Sequence, residues 1–91
     1  MAVHVRIPTT LRTLTGGEKA LSVEGETVGA VLDAVEAAHP GVRERILDAE
    51  GNVQRFVNLF VDDDDVRFLQ GLDTPVPDGA ELAIMQAVAG G

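Results

Sequence analysis

Apolar and polar side chains alternate strictly over residues 3–7. A period of two predicts a half-buried β-strand, and Pro8 ends the pattern because it has no N–H to donate. A second short apolar segment, Ala20–Val23, follows the turn-forming sequence TGGE at 15–18. Glycine accepts the positive φ that tight turns require. We therefore expect a hairpin of two strands with Thr9–Thr15 as a longish connection.

The spacing of apolar residues changes to that of a helix after Thr27. The side chains that would form one apolar stripe are Val28, Val31, Leu32, Val35 and Ala38. Such a stripe is typical of an amphipathic helix packed on one face. The Thr27 hydroxyl is suited to accept a free amide at the helix start, and Pro40 with Gly41 predicts the stop. A further helical turn is expected at 42–47, followed by a polar loop at 48–54.

Residues 56–61, FVNLFV, give the strongest strand pattern of the chain. Alternation would place Val57, Leu59 and Val61 on one face, with Phe56, Asn58 and Phe60 on the other. Next come a turn at 62–65, a short edge strand at 66–68 and a last strand at 80–85. In that last strand, Leu82 and Ile84 are expected to point inward. Residues 86–91 remain as a flexible tail.

The predicted order is two strands, a helix and three further strands, within a single domain over 1–91. One helix can cover only one face of a sheet, so the fold class is α+β, with a mixed sheet and one main helix packed on it. The first and last strands are both apolar enough to be central. This is the β-grasp arrangement of ubiquitin-like proteins.

Composition removes several classes of function. The chain has 91 residues, no Cys, no Trp, no Tyr and only three Phe, and its formal charge is −8. Without cysteine there is no thiolate metal site or thiol nucleophile. Acidity and scarce aromatics argue against nucleic acid or an anionic membrane as a partner. No apolar run reaches membrane-spanning length, and the N-terminus lacks the pattern of a secretory signal. We expect a cytoplasmic protein.

The sequence ends in two glycines after three small residues, Ala87, Val88 and Ala89. Gly90 and Gly91 have no Cβ atoms, so this arm can thread a narrow channel. The carboxylate of Gly91 would then be a chemical handle for a partner enzyme. The alternative is that the Gly–Gly ending is incidental.

Several segments together resemble the ubiquitin-like sulfur carriers of the ThiS/MoaD family, over essentially the whole chain. They are PTTLR at 8–12, TGG at 15–17, RFVN at 55–58, DVRF at 65–68, PDG at 77–79 and AVAGG at 87–91. Within the family, RFVN and AVAGG are most similar to the branch that serves cysteine synthesis in actinobacteria. Gln86 departs from the proline often found before the tail in such carriers.

The resemblance implies a mechanism in which partners supply the chemistry. An E1-like adenylyltransferase and sulfurtransferase uses ATP to activate the Gly91 carboxylate, and sulfur transfer gives a thiocarboxylate. In the cysteine branch, the thiocarboxylate attacks an aminoacrylate made by a PLP-dependent cysteine synthase. A zinc metallopeptidase then releases the cysteine. The chain itself is then not an enzyme and binds no cofactor, while Ala87, Val88, Ala89 and Gly90 thread partner active sites.

Phe60 and Met85 are predicted to share the sheet face that the helix leaves open, with Phe56 as a further candidate. An exposed apolar patch usually marks a contact site, so Phe60 is the expected centre of a docking surface. The alternative is that Phe56 or Phe60 packs into the edge of the core.

Other polar groups are weaker candidates for a metal, catalytic or phosphate-binding site. The four aspartates at 62–65 lack the alternate spacing of a calcium loop, so they predict a solvated turn, which would also attract basic residues of a partner. His39 is expected at a helix C-terminus, and neither it nor His4 has a nucleophile pattern around it. Asp33 and Glu36 are predicted to lie on a solvated helix face. The glycine pairs lack the Lys-Ser/Thr of a phosphate loop.

The sequence leaves three rival interpretations open. A carrier of the same class could serve molybdopterin, thiazole or tRNA-thiolation chemistry. A ubiquitin-like modifier would be conjugated to lysines through Gly91. A plain binding module would use neither glycine.

Overall fold

Five strands form one mixed sheet in the order β2-β1-β5-β3-β4. The computed structural model describes residues 2–86. The strands are β1 Val3–Arg6, β2 Ala20–Val23, β3 Val57–Val61, β4 Asp64–Asp65 and β5 Glu81–Gln86. β1 is antiparallel to β2 and parallel to β5, while β3 is antiparallel to both β5 and β4. The first and last strands are central, as the sequence predicts.

Two helices, α1 (Val28–Ala38) and α2 (Val42–Ile46), follow β2. The Thr27 hydroxyl accepts a hydrogen bond from the Ala30 amide at 3.2 Å, which confirms the predicted cap of α1. Gly41 links the helices at a φ of 103°, a left-handed conformation that a side chain would disfavour. Within residues 2–86, no helix has the length and apolarity to cross a membrane.

The core lies between α1 with α2 and one face of the sheet. Alternate residues of each long strand point into it, and so does the predicted stripe of α1 apart from Ala38, which is exposed. The largest fully buried side chains are Leu11, Leu32, Ile46, Leu59, Leu82, Val3, Val5, Val28, Val31, Val35, Val42 and Val57. The opposite face of the sheet is not covered by either helix.

The edge strand predicted at 66–68 is wrong. Val66–Phe68 is a short 3-10 helix, and the edge strand is the two-residue β4 just before it. The Asp65 carboxylate accepts the Arg67 amide at 2.8 Å, which favours a helical turn over an extended chain. Val66 is thereby buried, whereas Phe68 is 86% exposed.

The ends of two other predicted segments also differ. Thr9–Thr15 forms a 3-10 helix whose Leu11 and Thr15 are buried, so the connection contributes to the core. β5 extends to Gln86, one residue into the segment predicted as tail. The tail prediction for 87–91 falls outside the described residues.

Candidate functional site

The last described residue of β5 is held from two sides. Gln86 lies opposite Val57 in the antiparallel pairing of β5 with β3. Its side-chain oxygen also accepts a hydrogen bond from the Thr10 hydroxyl. This contact needs the side-chain amide of Gln86, and a proline at this position would have no group to make it. We call this end of β5 the tail root.

The five residues that the sequence predicts as the threading arm follow the tail root. Ala87, Val88, Ala89, Gly90 and Gly91 lie outside the described residues. Their role therefore stays a prediction.

A groove of about 380 Å³ lies beside the tail root. It is lined by residues 6–10, by Arg12 and by residues 83–86. The pairing of β1 with β5 stops at Ala83, because Pro8 cannot continue the ladder and the chain turns into the 3-10 helix. Arg12 is positioned there by its own Nε, which donates to the Ile7 carbonyl at 3.3 Å.

Phe60 and Met85 share the open face of the sheet, as predicted. Met85 is 54% exposed and Phe60 is half-buried. Together with Arg6, they line a shallow groove of about 240 Å³. Phe56, which precedes β3, is 48% exposed, so it does not pack into the core. An apolar surface with this exposure suits protein contact, although the docking role itself stays a prediction.

Arg67 is a residue that sequence reasoning missed at this site. Its guanidinium donates to the Val57 carbonyl at 2.8 Å. Because β4 is only two residues long, the Val57 end of β3 has no strand on its outer side. Arg67 therefore closes this edge and adds a positive charge close to the tail root. No local pattern predicts a contact between residues 57 and 67, because it depends on the chain reversal at 62–65.

Within the acidic run, two aspartates have definite structural contacts. The Asp62 carboxylate accepts the Glu81 amide at 3.0 Å, and Asp65 holds the turn at Arg67. Asp62 and Asp63 have positive φ values of 48° and 85°, which Asp tolerates better than most residues. Among residues 2–86, no three His, Asp or Glu side chains are placed to hold a metal ion.

The prediction of a solvated pair at Asp33 and Glu36 is only partly right. The Glu36 carboxylate accepts the Arg43 amide at 2.9 Å and the Gly41 amide at 3.1 Å. These backbone hydrogen bonds, that from Arg43 first, hold the pKa of Glu36 below its usual range. Asp33 is exposed and pairs with the Arg43 guanidinium at 3.0 Å.

The two histidines lie apart. His39 is the C-cap of α1, with its amide donating to the Val35 carbonyl at 2.8 Å, so the predicted helix end is confirmed. His4 is exposed in β1.

The sheet order, the parallel central pair and the single long helix define a ubiquitin-like β-grasp domain. Its last strand is central and ends beside an open apolar face. The chain belongs to the ThiS family, whose family model matches residues 5–91.

Full-length relatives agree with this assignment. The sulfur carrier protein CysO of Mycobacterium tuberculosis is 50% identical over 93 residues, which cover 100% of each chain. The crystal structure of the Amycolatopsis orientalis BexX/CysO complex contains a chain with 50% identity and a TM-score of 0.93, covering 99% of this chain and 100% of that one. SAMP1 of Haloferax volcanii, at 24% identity and a TM-score of 0.83 with full coverage of both chains, shows the same fold.

Proposed function

We propose that this protein is a sulfur carrier whose Gly91 carboxylate becomes a thiocarboxylate that donates sulfur for cysteine biosynthesis. The observation that carries the proposal is the likeness to CysO proteins along the whole chain, at 50% identity and a TM-score of 0.93. The family match runs to residue 91, so the matched range spans Gly90 and Gly91.

The proposed reaction begins on a partner enzyme. The Gly91 carboxylate attacks the α-phosphorus of ATP, pyrophosphate leaves, and an acyl-adenylate forms. A sulfur nucleophile then displaces AMP and yields the thiocarboxylate. In the cysteine branch, its sulfur adds to an enzyme-bound aminoacrylate, an S-to-N acyl shift gives an amide, and a metallopeptidase hydrolyses that amide to release cysteine.

The chain would act as a protein co-substrate. β5 presents the arm from a fixed position, because it pairs with β1 over 81–83 and with β3 over 82–86. The side chains of Ala87, Val88 and Ala89 are small enough to enter a narrow channel, and Phe60 with Met85 offers an apolar surface beside it. The partners are an E1-like adenylyltransferase and sulfurtransferase that uses ATP, a PLP-dependent cysteine synthase and a zinc metallopeptidase, all placed in the cytoplasm.

The test is the intact mass of the protein after incubation with ATP, sulfide and an extract of its own cells. We expect a gain equal to one sulfur replacing one oxygen, localised to Gly91 by fragmentation. A second gain equal to one cysteine residue would identify the cysteine branch. The matched control lacks Gly90 and Gly91 and should stay unmodified.

Other outcomes would favour the rival functions. Lysine adducts through Gly91 would indicate a protein modifier. A sulfur gain without any cysteine adduct, even with a purified cysteine synthase, would indicate a carrier for another acceptor. A persistently unmodified mass would contradict the carrier role.

A further inference from the structure

Charge is distributed unevenly between the two ends of the sheet. The strand directions define these ends, because β1 and β5 run one way while β2 and β3 run the other. We call the end with the tail root the tail end, and the opposite end the far end. β5 places Glu81 at the far end and Gln86 at the tail end, roughly 17 Å apart at about 3.3 Å per residue.

The tail end is cationic, although the chain as a whole carries −8. Its basic residues lie on the segments that flank the strand ends, or in contact with the first residue of β3. They are Arg12, Lys19, Arg55 and Arg67. Arg6 does not belong to this set, because it lies opposite Ala83 and its guanidinium pairs with Glu81 at 3.6 Å. On the same segments, 7–19 and 54–56, Glu18 is the single acidic residue.

The far end has the opposite sign. Its acidic residues flank the end of β2, the β3–β4 turn and the start of β5. They are Glu24, Glu26, Asp62, Asp63, Asp64, Asp78 and Glu81. Over the described residues, no Lys or Arg lies in these flanking segments, and the Arg6 guanidinium, which reaches Glu81 from β1, offsets one of these negative charges.

The two ends act separately in physiological salt. The screening length is about 8 Å at 0.15 M ionic strength, which is shorter than the separation of roughly 17 Å along β5. A partner that approaches the tail end is therefore influenced by the local positive charge more than by the net charge of the molecule.

We infer that the partner enzyme that receives the tail has an acidic rim around its channel, which the cationic tail end contacts. This inference rests on the proposed function, because the threading of the tail is what brings the tail end against that rim. Arginines removed from water at such an interface need carboxylate partners, and the guanidinium group pairs with them in bidentate geometry. Complementary charge also raises the rate of association and fixes the orientation of docking.

The test compares charge reversals at the two ends. Lys19 and Arg55 are suitable at the tail end because, among the described residues, neither side chain makes a hydrogen bond or a salt bridge. The double variant Lys19→Glu with Arg55→Glu is compared with Glu26→Lys with Asp64→Lys at the far end. The readout is the initial rate of the Gly91 mass gain in the cell extract, at carrier concentrations well below saturation.

We expect the tail-end variant to slow the mass gain by at least about threefold at 0.15 M ionic strength, and the difference to vanish near 1 M salt. The far-end variant should retain the wild-type rate. Melting curves of both variants should match that of the wild type, since all four positions are exposed.

Several results would overturn the inference. One is an unchanged rate of mass gain for the tail-end variant. Another is a far-end variant that gains mass faster by the same factor, which would show that net charge alone sets the rate. A slower far-end variant would instead make the acidic run the contact surface. If the wild type gains no mass while the extract modifies a purified CysO, the proposed function fails and the inference fails with it.

Discussion

Glu36 joins α1 to α2 through its carboxylate. The five-residue α2 is too short to be stable by itself, and the first amides of a helix have no partner within it. Glu36 accepts the amides of Gly41 and Arg43, the second of which lies in the first turn of α2. The stability of α2 therefore depends on the ionised form of this side chain.

The pH dependence of unfolding follows from these hydrogen bonds. The pKa of Glu36 is lower in the folded protein than its ordinary value of 4.5. A carboxyl group with a depressed folded pKa stabilises the fold above its unfolded pKa, and this contribution is lost as the pH falls through the folded value. Glu36→Gln should therefore lower the free energy of unfolding at pH 7 and make its decline below pH 4.5 shallower.

Denaturant titrations between pH 7 and pH 3 measure this difference. Glu44→Gln is the matched control, because it removes the same charge from an exposed residue of α2. Equal pH profiles for the Glu36 and Glu44 variants would contradict the assigned role. Sequence reasoning could place Glu36 on the outer face of α1. It could not supply its partners, which approach only once the chain reverses at Gly41.

At the scale of elements, the alternation of side chains along β3 places a residue of the core next to a residue of the open face. Leu59 is fully buried, whereas its neighbour Phe60 is half-buried on the open face. Leu59→Ala should cost about 2–5 kcal/mol of the free energy of unfolding, as expected for a buried leucine. Phe60→Ala should cost no more than about 1 kcal/mol and should slow the Gly91 mass gain about tenfold.

Urea unfolding and the mass assay measure the two quantities on the same pair of variants. A large loss of stability in Phe60→Ala would place Phe60 in the core. An unchanged rate of mass gain would remove it from the docking surface.

The sequence predicts the elements with a long apolar period well. It fails for short segments whose conformation is determined by a few individual contacts. The apolar periods of β1, β3, β5 and α1 are long enough to fix each element and its buried face. The segment at 66–68 has strand-forming residues, yet one hydrogen bond from Arg67 to Asp65 turns it into a 3-10 helix. Four threonines in Thr9–Thr15 likewise give no helical pattern, and burial of Leu11 holds that turn in place.

For the site, the sequence predicts the face shared by Phe60 and Met85 but not the surroundings of the tail root. Alternation is a local property, so it assigns Phe60 and Met85 to the open face correctly, whereas Phe56 lies in the turn before β3. The contacts of Arg67 with Val57 and of Thr10 with Gln86 join residues 10 and 76 positions apart. Such pairs follow from the order of the strands, which single-chain patterns leave open.

At the scale of the whole molecule, stability and the proposed chemistry belong to different parts of the chain. Among residues 2–86, the buried core runs from Val3 to Ile84, whereas the proposed reacting group is Gly91. All of the described core residues precede the arm in the sequence, so loss of the end of the arm should not unfold the domain. Deletion of Gly90 and Gly91 should therefore keep the melting temperature within about 3 °C of the wild type, because it removes no residue of the described core and changes outside a core stay near 0.5 kcal/mol. The same deletion should abolish the mass gain.

Leu59→Ala provides the converse measurement. It should melt at a lower temperature because it opens a cavity in the core. Assayed well below that temperature, it should gain mass at the wild-type rate, because its Gly91 and open face are intact. Calorimetry and intact-mass measurements on the deletion variant and on Leu59→Ala therefore test whether folding stability and the mass gain depend on different parts of the chain. A deletion that lowers the melting temperature as far as Leu59→Ala does would show that the arm is part of the folded domain.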